Sequence, residues 1–202
     1  MHYFRPLYPY IFVLLILLST SAFHLIGAIN LLGQAILFTL VVCIPIWKTG
    51  RMSYVDIGWP WGLVVLGLIS YIFSDGYWLR SLIVSGVVIL IGLRMGLGAL
   101  KMWQLGLLNK EFPRYEYQRL LWKEEGKENT QLALQIDAIS QGLANASFLA
   151  LPVFIIASNK SDTFALLELT GLLIWTLSYL MESVADFQKL EFLKQMKKEG
   201  KQ

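Results

Sequence analysis

"LRSLIVSGVVILIGLRMGLGALK" occupies residues 79–101. Between Arg80 near its start and Lys101 at its end it carries a single charge, Arg94. A helix needs roughly 20 mostly apolar residues to cross the hydrocarbon of a bilayer. This stretch has that length, and its composition leaves no continuous polar face for water. It reads as a membrane-spanning helix, and it sets the class of the whole chain.

Similar runs lie on both sides of it. Before it they fall near 9–28, 31–47 and 57–74, and after it near 139–158 and 163–182. The expected fold is therefore all-α: a polytopic integral membrane helical bundle with about six transmembrane helices. Composition agrees, with 56% hydrophobic and 15% charged residues, where soluble domains carry roughly 25% charged residues. A soluble domain of 202 residues has no interior large enough to hide that much apolar surface. The run near 31–47 is short and contains Pro45, so a kink or a shallow insertion is expected there. Arg5 followed by an apolar run resembles a secretory signal. Such signals end their apolar region after ~7–15 residues, whereas this one continues, so the first span is read as uncleaved.

Charge orients the spans. Of 17 Lys and Arg, 14 fall in segments 1–8, 48–56, 101–138 and 183–202. The opposite side holds Arg80 and Lys160, and Arg94 lies inside a span. Positive residues gather on the cytoplasmic side, so both termini are expected in the cytoplasm. The long loop 102–138 contains a short interfacial helix around Arg119–Trp122 and a polar turn, "KEEGKENTQ" at 123–131. The tail 183–202 is expected beyond the last span.

Several classes drop out. The lone Cys43 forms no intrachain disulfide, and His2 and His24 lack any metal-ligand spacing, so no metal is expected. There is no phosphate-cradling glycine loop and no nucleophile elbow. Basic residues are spread along membrane edges and mixed with acids, so nucleic acid is not an expected partner.

Polar residues inside spans are expensive and point to a partner or a cavity. Asp56 reads either as an acidic helix start or as a carboxylate at a cavity mouth, backed by Trp59 and Trp61. Arg94 either snorkels to the interface or pairs with an acid or an anionic ligand, while Gly92 and Gly96 allow close helix packing. Asp137, Gln141 and Asn145 recur every four residues, serving interhelical hydrogen bonds or lining a cavity. Glu182, Asp186 and Lys189 form another stripe, a solvated acid–base ladder or a pocket wall.

Three stretches together resemble the steroid 5α-reductase-like membrane family, in its bacterial-type branch. They are "SYVDIGWPWG" (53–62), "LRMGLGALKMWQLGLLNKEFPRYEYQRLLW" (93–122), and "SQGLANASFLALPVF" (140–154) with "ESVADFQKLEFLK" (182–194). In order and spacing they span most of the chain. The resemblance implies a reductase that passes hydride from NADPH to an enone double bond of a steroid- or lipid-like substrate. It implies a polar pocket within the bundle that holds the dinucleotide, with the substrate entering from membrane lipid beside it. Carried over, Asp56 is the catalytic residue that orients or polarises the substrate carbonyl, protonated so that it can donate. Arg94, Arg114 and Tyr115 would bind phosphate or ribose, and Glu182 and Asp186 would bind ribose or adenine. Lys101 stands where relatives often carry Arg, which weakens a bidentate grip on phosphate.

In that family a Gly-Leu-Trp…Arg-His-Pro-Asn-Tyr segment follows, and this chain stops at Gln202. The expectation is an amino-terminal portion of a longer family domain, inactive alone, in the cytoplasmic membrane of a bacterium. The alternative is a non-catalytic lipid-binding or assembly module. A transporter gated by Asp56 and Arg94 is a weaker reading, because no inverted repeat is visible.

Overall fold

The computed structural model describes residues 2–198, and these are all helix and connection, with no strand among them. Helices α1 (Tyr8–Ser19), α2 (His24–Phe38) and α3 (Ile44–Thr49) open the chain. They are followed by α4 (Val55–Phe73), α5 (Trp78–Gln104), α6 (Pro113–Glu124), α7 (Thr130–Ala146), α8 (Ala150–Ala157) and α9 (Leu166–Lys198). Among the described residues four continuous rods are long and apolar enough to cross a membrane: His24–Thr49, Met52–Phe73, Trp78–Gln104 and Thr130–Ala157. The protein is a polytopic helical membrane protein.

Beside these four rods the described residues include a shorter apolar helix, Tyr3–Ser19. The first expected span is broken: α1 stops at Ser19, and Thr20 is extended with ψ 120°. Ser19 and Thr20 donate their hydroxyls back to the carbonyls of Leu15 and Ile16, competing with the backbone for the last turn. The apolar segment Tyr3–Ser19 is thus shorter than a full span. The turn lies at Thr20–Phe23, not near Asn30, which is fully buried in α2. At the other end, α9 runs on through the expected tail as far as Lys198. Its apolar stretch is interrupted by Glu168 and Glu182. The last four residues of that tail lie outside the described residues.

Pro45 does not stop its rod. Its ring crowds the carbonyl four residues back, and the turn just before it, Thr39–Cys43, widens to a π-helix. The rod then ends on Gly50, whose φ of 71° is the left-handed cap glycine tolerates best. In the loop after α5, Pro113 opens α6, and Asn129 caps α7 by accepting the Leu132 amide at 2.9 Å.

Helices α4 and α5 form the closest pair. A Cβ on Gly92 would stand 2.6 Å from the Pro60 carbonyl oxygen and 2.8 Å from a Val64 methyl, so only glycine fits. A buried amide cluster ties α2, α4 and α7 together. Gln34 donates to the Gly62 carbonyl at 2.8 Å and to Asn30 at 3.2 Å, Asn30 to the Asn145 carbonyl at 3.3 Å, and Asn145 to the Trp59 carbonyl at 3.0 Å. Helix α9 contrasts with this core. Leu167 and Met181 are 83% and 75% exposed, and the helix touches the body mainly along α5.

Candidate functional site

Glu111 places the start of α6. Its carboxylate accepts the Met52 amide at 2.7 Å and Arg119 at 2.8 Å, fastening the strand of chain before α6 to the entry of α4. Arg51 adds a bond to the Leu108 carbonyl at 2.8 Å. Asp56 sits in the first turn of α4, and Arg114 and Tyr115 in the first turn of α6. The clamp therefore brings both α6 side chains onto the carboxylate. Arg114 donates to Asp56, and the Tyr115 hydroxyl donates to the second Asp56 oxygen at 3.1 Å. The Arg114 guanidinium also lies over the Tyr115 ring, 4.8 Å from its centroid.

The environment of Tyr115 favours its neutral form. Burial raises its proton affinity, and the Asp56 charge raises it further, against the opposing effect of Arg114. Burial alone would lower the proton affinity of Arg114, but Asp56 outweighs it and holds that group above its ordinary value.

A cavity of about 740 Å³ opens beside this triad, between α4, α5, α6, α7 and α9. Its polar lining includes Asp56, Arg94, Arg114, Tyr115 and Asp186. Five of the six expected site residues therefore share one chamber. The sixth, Glu182, braces Arg94 from outside the lining at 2.7 Å, while Asp186 holds the other guanidinium nitrogen at 2.6 Å. Trp59, Met102, Phe187 and Leu193 are among its apolar walls, and a smaller cavity of about 490 Å³ adjoins it past Phe112.

The first partners of these residues differ from those the resemblance implies. Asp56 accepts hydrogen bonds from both Arg114 and Tyr115. Arg94 does not snorkel: it bridges α5 to Glu182 and Asp186 on α9, with its Nε buried and unpartnered. Both acids of α9 are thereby engaged. The stripe of Asp137, Gln141 and Asn145 divides: Gln141 lines the cavity, Asn145 belongs to the amide cluster, and Asp137 lies outside the lining. Among the described residues, no group of three His, Cys, Asp or Glu is arranged to hold a metal ion.

A helical membrane bundle with an amphipathic chamber at one end of its helices is the class that fold and site define. Residues 41–202 match the family described as "Protein of unknown function (DUF1295)", and the chain belongs to that family. The match covers every residue of the chamber. No curated protein and no solved structure matches the chain.

Proposed function

We propose that this chain is a membrane-embedded reductase acting on the enone of a steroid- or lipid-like substrate, with NADPH as reductant. The observation that carries the reading is the Asp56–Arg114–Tyr115 triad, which presents a cation and a phenol at the edge of a largely apolar chamber. The chamber volume, about 740 Å³, lies within the roughly 300–1,000 Å³ of small-molecule and cofactor sites. Its charge also suits a phosphorylated dinucleotide. Four cations, Arg94, Lys101, Arg114 and Lys189, and two acids, Asp56 and Asp186, line it, an excess of 4 − 2 = 2 positive charges. NADPH, when bound, supplies the hydride.

The residues of the chain supply the rest. As negative charge develops on the enone oxygen, the Arg114 guanidinium is the preorganised cation of the triad. Tyr115, kept neutral by burial and by Asp56, holds a proton at its hydroxyl for delivery to the substrate. Asp56 orients both donors and, by its charge, restrains Arg114 in place. The apolar walls match a lipid-like substrate arriving from the bilayer. We extend the reading to the cytoplasmic membrane of a bacterium, with both termini in the cytoplasm, on the charge bias and the resemblance.

The test is oxidation of NADPH in lipid nanodiscs by the purified chain, and by the chain extended with a relative's carboxy-terminal segment, with a panel of 3-keto-Δ4 steroids and enone lipids. Activity lost in Asp56→Ala and Tyr115→Phe supports the reading. A chain that folds but neither binds NADPH nor reduces any enone favours the second reading, a lipid-binding module, which the exposed apolar surface of α9 supports.

A further inference from the structure

Helices α5 and α9 run parallel and in a fixed register. Arg80 pairs with Glu168 and Arg94 with Glu182, each across a separation of 88 residues. Tyr179 donates to the Leu90 carbonyl at a separation of 89. The contacts follow a seam of seven-residue steps, the period at which two helices stay face to face. On α5 the seam passes Arg80, Arg94 and Lys101, and on α9 it passes Glu168, Glu182 and Lys189.

The first two charged rungs set a cation against an acid. The third does not: Lys189 and Lys101 are again 189 − 101 = 88 apart, and both are cations. They sit two turns, about 10 Å, beyond the Arg94 bridge, and both line the chamber. Neither side chain makes a hydrogen bond or ion pair among the described residues. Nearby acids are already engaged: Asp186 by Arg94, Asp56 by Arg114, and Glu191 by Lys194. Two unpaired ammonium groups at one level of a seam repel one another. An anion between them reverses the sign of that rung.

We infer that Lys101 and Lys189 form a phosphate-binding pole of the chamber, which clamps a phosphate or diphosphate group between α5 and α9. The pole deepens the reductase reading, and its nucleotide form rests on that reading. A dinucleotide diphosphate and the headgroup of an anionic lipid present the same chemistry. Bound phosphate would also hold α9 to the body, because one ligand bridges the two helices at the end beyond Arg94. Arg94 and Arg114 are less available for this task, since each already has carboxylate partners.

The test uses the whole chain in zwitterionic nanodiscs, with inorganic pyrophosphate, NADPH and phosphatidic acid as probes. Binding of each is measured for wild type, K101Q, K189Q, the double variant K101Q/K189Q, the charge-preserving K101R/K189R, and K194Q as a control on α9 outside the chamber. Loss of a charge-assisted contact should weaken pyrophosphate binding roughly tenfold per lysine, with K101R/K189R at least as tight as wild type and K194Q near wild type. Weakening of NADPH in parallel assigns the pole to the nucleotide. Weakened pyrophosphate binding, displaced by phosphatidic acid in a chain that does not bind NADPH, assigns it to lipid headgroups and removes the reductase reading alone. Binding of NADPH that ignores both lysines leaves the reductase reading and overturns the pole. So does a wild-type chain that binds neither pyrophosphate nor phosphatidic acid.

Discussion

The Tyr115 hydroxyl donates to Asp56 across 3.1 Å, although 59 positions separate the two residues in the chain. The bond joins the first turn of one helix to the first turn of another, and Arg114 closes the triangle on the same carboxylate. Tyr115→Phe keeps the ring and removes only the proton donor. A positioned acid contributes about 100- to 10,000-fold to rate, so the variant should lose at least about 100-fold in kcat with NADPH binding unchanged. Steady-state kinetics and NADPH fluorescence titration read the two quantities separately.

The same bond sets an alkaline limit. Burial, then the Asp56 charge, raises the proton affinity of Tyr115 in the folded state. Its contribution is fully present below the unfolded tyrosine value, about 10, and is lost as pH rises from there toward the folded value. Thermal unfolding should show a stability loss above about pH 10 that is smaller in Tyr115→Phe. Identical profiles for the two proteins would remove Tyr115 from the account.

Arg94→Gln should free α9 while leaving the core intact. The two carboxylates are 64% and 51% exposed, so the bridge is worth only about 1 kcal/mol. Helix α9 has little other packing along this region. Hydrogen exchange should therefore quicken in α9 beyond Leu180, with α4 and α5 protected as before. Quickened exchange throughout the bundle would mean that Arg94 serves the core instead.

Two glycines on one helix should behave oppositely. At Gly92 an added Cβ meets the Pro60 carbonyl at 2.6 Å, whereas at Gly98 nothing lies within 4 Å. Gly92→Ala should cost about 1–3 kcal/mol through forced separation of α4 and α5, and Gly98→Ala should be close to neutral. Denaturant-monitored unfolding in mixed micelles compares them.

Much of this arrangement is legible in sequence, and the remainder fails for identifiable reasons. Apolar length finds α4 and α5 because their apolar runs continue unbroken, past Pro60 near the start of α4. It misses the break at Thr20, where hydroxyl side chains end α1 inside a still-apolar run. Spacing by fours groups Gln141 with Asn145, yet a periodicity on one helix does not say which neighbours fill each side. Asn145 meets α2 and α4, and Gln141 meets the chamber. The role of Glu111 is set by its contact with Met52 at a separation of 59 residues, which no local pattern encodes. Arg94 and its two acids are visible as costly charges, and their pairing was one of the readings open from sequence. The parallel register that unites them with Lys101 and Lys189 has a signature, steps of fourteen and seven on both helices, but it has meaning only once the two helices are known to be neighbours.

The central claim is that this chamber delivers a hydride and a proton to opposite ends of an enone. It is tested most directly by the fate of deuterium from NADPH labelled at nicotinamide C4, incubated with the nanodisc-embedded chain and an enone lipid. The account predicts deuterium at the substrate β-carbon, a solvent-derived proton at the α-carbon, and loss of both in Asp56→Ala. Deuterium retained wholly in the nucleotide, with NADPH bound and enone present, would contradict it.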